Sequence, residues 1–229
     1  MQSLTQEVTR HHLSACAMAE WPQIESLRMI ARTISLGRGR EVYAEGSPAE
    51  YFYTVVSGAV RICKLMADGR RQITEFAVAG DMFGFDGITE HLFAAEAVTD
   101  VTLLRFANRS VEELARRESE IARTMQAITL RCLTAAQLQM VLLGRKTAQE
   151  RVASFLLQFA KRTSTGGESV VLDLPMSRYD VADHLGLTVE TVSRELAAMR
   201  RHGLIAMDDA QHIRITDRER LAETAEPVQ

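Results

Sequence analysis

Cysteine is scarce. Three thiols in 229 residues, at Cys16, Cys63 and Cys132, are too few and too widely spaced for a disulfide framework, which favours a reducing compartment. Glycine (13) and proline (4) are too few for a fibrous or linker-like protein. Charge of one sign is missing as well. A net charge of −3 excludes a uniformly basic chain that coats nucleic acid, yet it permits a local basic surface. No apolar run approaches the roughly 18 residues that a membrane-spanning helix needs. The segment from Met1 to Trp21 has no positive flank leading into an apolar stretch, so no secretory leader is read. These absences together predict a cytoplasmic protein without a membrane partner. What is present is an ordinary globular composition, 46% hydrophobic and 25% charged, over the length of one large domain or two small ones.

The character of the chain changes along its length. A helical pattern from about Gln23 to Ile34 puts Ile24, Leu27, Ile30 and Ala31 on one face. Residues 36–109 hold short β-rich runs separated by glycines: Tyr51–Val56, Ala59–Leu65, Gln72–Phe76 and Val101–Phe106. Asp68-Gly69 between two of them is a hairpin signal. Such runs suit a sandwich, roll or barrel and are too tightly connected for βαβ units. Residues 110–144 are almost free of glycine and proline, and Ser110 with Glu113 fits a capping box. Ile121, Met125, Ile128, Cys132, Ala135, Gln139 and Leu142 follow a 4-3 spacing, the period of a coiled-coil seam. This row is read as a dimer seam, and a second apolar row, Leu130, Leu133, Leu138 and Val141, as the face that packs on its own domain. The polar N-terminal segment and first helix therefore occupy residues 1–35, and a last region spans 145–229.

That last region is the most informative. A helix over 147–163, with Val152, Phe155, Leu156 and Phe159 inward, is followed by a loop and by a short strand, Val170–Leu174. Ser177 can cap a helix from Arg178 to His184. Leu185-Gly186-Leu187 then makes a turn, and Thr188 can cap a second helix, Val189 to Arg201, ending at Gly203. Two short helices around a glycine turn are a helix-turn-helix. Leu204–Met207 and His212–Ile215 read as a following β-hairpin, a wing. Ala182 must be small where the helices cross. Val181, Leu185, Leu187, Val192 and Leu196 make the buried set. The outer side of the second helix then carries Val189, Glu190, Ser193 and Arg194. These side chains suit a major groove, where arginine forks onto guanine and glutamate accepts from cytosine. Ser177, Arg178, Thr188, Thr191, Arg200 and Arg201 are placed for phosphates. From Gly144 to the end there are 12 Lys and Arg against 13 Asp and Glu. Non-specific DNA binding should therefore be weak, with specificity carrying more of the affinity.

Glu190-Thr191-Val192-Ser193-Arg194, within MSRYDVADHLGLTVETVSREL (176–196), resembles the Glu-x-x-Ser-Arg signature of the CRP/FNR superfamily of bacterial transcription regulators, and of its FNR/FixK branch in particular. GRRQITEFAVAGDMFGFDGI (69–88), with Gly80-Asp81 and Gly84-Phe85-Asp86, is similar to the same branch. The likeness runs from about residue 24 to 216. It implies an α+β chain with three parts: an N-terminal β-roll of the cyclic-nucleotide-binding kind (a double-stranded β-helix), a long dimerisation helix and a C-terminal winged helix-turn-helix. It implies a homodimer on double-stranded DNA with TTGAT-like half-sites, Glu190 and Arg194 reading the central bases, and an oxygen-limitation or nitrogen-fixation regulon. It also implies contact with RNA polymerase. For this contact the candidates are Asp68, Gly69 and Arg70, then Asp81 and Asp86, and Gly166 with Glu168 in a third loop.

The sensor region departs from two relatives within that superfamily. Cyclic-nucleotide binders carry a Gly-Glu and a downstream Arg-Ser/Thr-Ala for the cyclic phosphate, and an anion site needs such a guanidinium. Here the stretch reads Gly84-Phe85-Asp86 and then His91-Leu92-Phe93-Ala94-Ala95, with no arginine between Arg71 and Arg105. Oxygen-sensing members hold an iron–sulfur cluster on four thiolates, one more than this chain has. His11, His12 and Cys16 read as a polar N-terminus rather than a metal site. The expectation is a FixK-like regulator that uses no cofactor and no metal. The alternative keeps the fold but gates it with a small molecule, a haem or a thiol redox change. An enzyme on the roll would need clustered ligands, and residues 36–106 contain one histidine, His91; no catalytic residue is assigned.

Overall fold

The computed structural model describes residues 25–163, 170–209 and 211–226. The described chain divides within one long helix into two compact units, one up to Ala135 and one from Ala136.

The first unit opens with helix α1 (Glu25–Ile30) and strand β1 (Arg32–Leu36). The helix read to Ile34 therefore ends four residues early. Arg32–Leu36 pairs with Val101–Arg105 instead, and a ladder of backbone bonds overrides a weak helical pattern. Gln23 and Ile24 lie outside the described residues. The strands continue as β2 (Glu41–Tyr43), β3 (Tyr51–Ser57), β4 (Ala59–Leu65), β5 (Arg71–Val78), β6 (Met82–Phe83), β7 (Ala94–Ala97) and β8 (Val101–Ala107). They form two antiparallel four-stranded sheets, ordered β1-β8-β3-β6 and β2-β7-β4-β5. The four strands legible in sequence are all there, each within two residues of its expected ends. The short β2, β6 and β7 carried too little pattern to be seen. Gly69, with φ +85°, makes the β4–β5 hairpin that Asp68-Gly69 predicted.

Alternation builds two cores from one sheet. Tyr53 and Val55 on β3, with Val101 and Leu103 on β8, point between the sheets toward Tyr43, Ile62, Phe83 and Ala95. Phe52 and Phe106 point the other way, stacked at 5.0 Å, and pack with Leu27, Met82 and Val111. Each such aromatic contributes on the order of 2–3 kcal/mol of burial.

Two helices follow, not one. Helix α2 (Asn108–Arg117) and helix α3 (Ser119–Arg145) are separated by Glu118, whose backbone is extended (φ −121°, ψ 103°). The expected capping box at Ser110 does not form. Strand β8 runs directly into α2 at Ala107, which makes no side-chain cap, and Ser110 lies inside the helix.

Helix α3 corrects the seam assignment at three of its seven positions, Ile121, Ile128 and Leu142. Ile121 and Ile128 are fully buried against the first unit, with Met125 and Cys132 packed beside them. Ala135 is half-buried. Leu142 is buried in the second unit, where Gln139 Nε2 donates to the His184 carbonyl at 3.2 Å. Ile121, Ile128 and Leu142 are thus used inside the chain, Met125, Cys132, Ala135 and Gln139 are half-buried, and Leu130, Leu133, Leu138, Met140 and Val141 are exposed. A periodic row announces a buried stripe but not what buries it. By length and composition α3 is also long and apolar enough to cross a bilayer, contrary to the expectation that no such run exists. Spaced Arg and Gln hide its total apolar content in a linear reading.

The second unit adds α4 (Ala148–Thr163), β9 (Val170–Asp173), α5 (Arg178–Leu185), α6 (Val189–Arg201), β10 (Ile205–Met207), β11 (His212–Ile215) and α7 (Arg218–Ala225). Strands β10, β11 and β9 form one antiparallel sheet, so the wing hairpin is extended by the strand that precedes the helix pair. Val152, Phe155, Leu156 and Phe159 of α4 are buried, as their spacing predicted.

Candidate nucleic-acid interface

The helix pair is built from its caps inward. Ser177 accepts the Asp180 amide (3.2 Å) and the Asp180 carboxylate accepts the Ser177 amide (3.1 Å), a full capping box at the start of α5. Helix α5 ends at Gly186 in the left-handed region (φ +61°, ψ 41°), where a side chain would be strained. The Leu187 amide returns to the Ala182 carbonyl at 3.0 Å. Thr188 then starts α6 by accepting the Thr191 amide at 3.2 Å. Val181, Ala182, Leu185, Val192 and Leu196 are buried between the helices as expected, joined by Met199; Leu187 is half-buried.

Burial at Val192, Leu196 and Met199 faces α6 inward along one stripe and turns Glu190, Ser193, Arg194, Arg200 and Arg201 to solvent. The outward row extends about 16 Å at 1.5 Å per residue. Val189 and Thr191 sit half-buried at its edge. The Arg194 side chain is 67% exposed, and its Nε lies 3.5 Å from Glu195 Oε1 rather than pairing with Glu190 one turn back. Glu190 and Arg194 therefore stand as separate polar ends on one face. The Thr188 and Thr191 hydroxyls are 3.1 Å apart at the N-terminus of α6. With one proton passed between them, the second is left for an outside acceptor, beside the positive end of the helix. Arg178, at the start of α5, is half-buried, and burial lowers its pKa from the usual guanidinium value.

Ser177 does not fit its expected phosphate role, because its hydroxyl proton goes to Asp180 Oδ2 at 2.7 Å. Sequence reading also missed Tyr179, exposed on α5, and the character of the wing tip. There Asp209 accepts the amides of Gln211 (2.7 Å) and His212 (2.8 Å) and pairs with His212 Nδ1 at 2.7 Å. These bonds hold the Asp209 carboxyl at about 2 and raise the His212 imidazole. Asp208 and Asp173 add negative charge around the same histidine.

The candidate polymerase contacts separate. Asp68, Gly69 and Arg70 lie at an exposed hairpin tip, where Arg70 Nε meets Asp68 Oδ2 at 2.7 Å. Asp81 is 1% exposed and accepts the Val78 amide at 2.8 Å, and so is structural. Asp86 is turned inward, onto His91 Nδ1 (2.8 Å) and the Phe93 amide (3.0 Å). Gly166 and Glu168 lie outside the described residues, as do His11, His12 and Cys16.

His91 lies in the loop between β6 and β7, yet its side chain is part of the roll interior. It is buried, its ring lies 3.6 Å from that of Tyr43, and Tyr43 also reaches Asp86 at 3.4 Å. Burial, reinforced by Asp86, pushes the Tyr43 phenol far above its usual range. The stretch from Gly84 to Ala95 carries no arginine or lysine of its own for a cyclic phosphate, and Asp86 faces inward. These residues do not fit a cyclic nucleotide. Cys63 is buried and Cys132 half-buried. Among the described residues no cluster of His, Cys, Asp and Glu is arranged to hold a metal ion.

One unit holds a helix-turn-helix with an outward Glu-x-x-Ser-Arg face and the other a two-sheet roll, and comparison with known proteins agrees with both halves. Residues 150–224 match the Crp-like helix-turn-helix domain and residues 33–118 the cyclic nucleotide-binding domain. The chain belongs to the CRP/FNR family of transcription regulators. Within that family it is 45% identical to the nitrogen fixation regulation protein FixK of Azorhizobium caulinodans, over 80% of this chain and 75% of the relative. It is 33% identical to the transcriptional activator protein FnrL of Cereibacter sphaeroides, over 93% and 88%. The structure of FixK2 from Bradyrhizobium japonicum superposes with a TM-score of 0.82 at 42% identity, covering 87% of this chain and all of that one. As a CRP/FNR member of FixK type, the chain is a DNA-binding regulator; its relatives are regulators and not enzymes.

Proposed function

We propose that this chain is a FixK-like activator in a nitrogen-fixation or respiration regulon, binding as a homodimer to a TTGAT-N4-ATCAA-like palindrome. The observation that carries the reading is the exposed row Glu190, Ser193 and Arg194 on a helix whose opposite face is locked into the helix-turn-helix core. Arg194 forks onto a guanine and Glu190 accepts from a cytosine, with Ser193 and Val189 beside them. Thr188, Thr191, Arg178, Arg200 and Arg201 take phosphates on either side. Two copies pair through the exposed apolar row of α3, which sets the half-sites about one helical turn apart. RNA polymerase meets the exposed hairpin at Asp68–Arg70. No cofactor is required, and the protein works in the bacterial cytoplasm.

The test is fluorescence anisotropy of aerobically purified protein on a TTGAT-N4-ATCAA duplex, without effector and against a scrambled duplex. Tight, selective binding is expected. Weak and unselective binding by a folded dimer sinks the effector-free reading and favours a gated sensor.

A further inference from the structure

We propose that Arg151, with Lys146 and Gln139, clamps the helix-turn-helix onto the end of α3 and so sets the half-site spacing that the dimer accepts. The inference rests on the palindrome reading above.

The last carbonyls of any helix lack partners within it and carry its negative end. Three such ends converge here. The Arg151 guanidinium donates from Nη2 to the Leu143 carbonyl (2.8 Å) and from Nε to the Lys146 carbonyl (2.9 Å), both at the end of α3. From Nη1 it donates to the Leu185 carbonyl at 2.9 Å, the last residue of α5. Lys146 Nζ donates to the Ala225 carbonyl at 3.0 Å, the last residue of α7, and to Ser154 Oγ at 2.9 Å. Gln139 makes a second tie from α3 to α5 through the His184 carbonyl.

The planar fork of an arginine is what lets one side chain hold three carbonyls in fixed directions; an ammonium on a flexible stem cannot do so. The turn lies directly against it. A Cβ on Gly186 would sit 3.5 Å from Arg151 Nη1 and 3.6 Å from Leu143 Cδ2. Helix α6 leaves that turn after two residues, so any slack at Leu185 is transmitted to the base-reading row. A tilt of about ten degrees over a ~16 Å helix moves its far end by about 3 Å, close to the rise of one base pair. Arg151 touches no base. It is a positioning residue, and its signature is spacing rather than sequence preference.

The experiment compares the full chain with Arg151→Gln, Arg151→Lys and Gln139→Leu on duplexes whose half-sites are separated by three, four or five base pairs. The unaltered chain is expected to favour four by about tenfold, a difference that anisotropy resolves easily. Arg151→Gln is expected to shrink that preference to about twofold while still discriminating TTGAT half-sites from scrambled ones. Arg151→Lys and Gln139→Leu should move the same way by less, and they keep the test open if Arg151→Gln does not fold. A lower Tm with an unchanged spacing profile in these two milder variants overturns the clamp and leaves Arg151 a purely structural residue. An unaltered chain that is selective but indifferent to spacing overturns the clamp alone. No selectivity at any spacing overturns the proposed function.

Discussion

Arg194 sits between an intramolecular partner and the solvent. Its contact to Glu195 is long and two-thirds exposed, so it costs little to exchange for a guanine edge. Arg194→Ala is expected to lose about 1–3 kcal/mol per half-site, and thus most discrimination against a scrambled duplex. Selectivity that survives would refute the assigned readout. The wing histidine gives a second residue-scale prediction. Asp209 raises the His212 pKa, so this pairing supports the turn at low pH and is lost as pH rises through the raised value. Asp209 itself is depressed to about 2, and its contribution fades only when pH falls toward that value. The wing tip is therefore best held in mildly acidic solution. Imidazole NMR should show His212 titrating above 6.5, and Asp209→Asn should bring it back toward that ordinary value.

Helix α3 shows how much an element depends on what lies on each side of it. Its two apolar rows are nearly equal in sequence, and the row with the cleaner heptad spacing is the one that buries Ile121, Ile128 and Leu142 within the chain. Ile128→Glu places a charge in a site that is 1% exposed, and is expected to unfold the first unit, at a cost of several kcal/mol. Leu133→Glu, at a position 54% exposed, should leave circular dichroism unchanged and abolish the proposed dimer in light scattering. The opposite pattern would restore the 4-3 row as the seam. The caps of α5 and α6 were readable because Ser177, Gly186 and Thr188 act on their own neighbours. The cap of α2 was not, because the strand entering it settles how it starts.

Over the whole molecule, a net charge of −3 and an acidic wing leave few cations to neutralise phosphate. Non-specific binding should be weak at physiological salt, while specific binding falls as salt rises. Arg201→Gln should reduce the slope of log affinity against log salt by about 2 per dimer, with sequence preference unchanged. An unchanged slope would remove Arg201 from the phosphate set.

Local chemistry was legible from residue order alone. Turn glycines, helix caps, the inward row of α6 and the four longer strands depend on neighbours within a few positions, and so did the outward Glu190, Ser193 and Arg194. Contacts between distant segments were not. Asp81 and Asp86 looked like surface acids until the fold turned them onto the Val78 amide and His91. Nothing in residue order showed that the His91 loop is buried, with Tyr43 of β2 stacked on its ring. Nothing in residue order set Arg151 apart from the other cations of α4, but in the fold the ends of α3 and α5 meet around it. In each case burial and partnership come from residues far off in sequence, and a linear pattern carries polarity and period but no record of which face meets which.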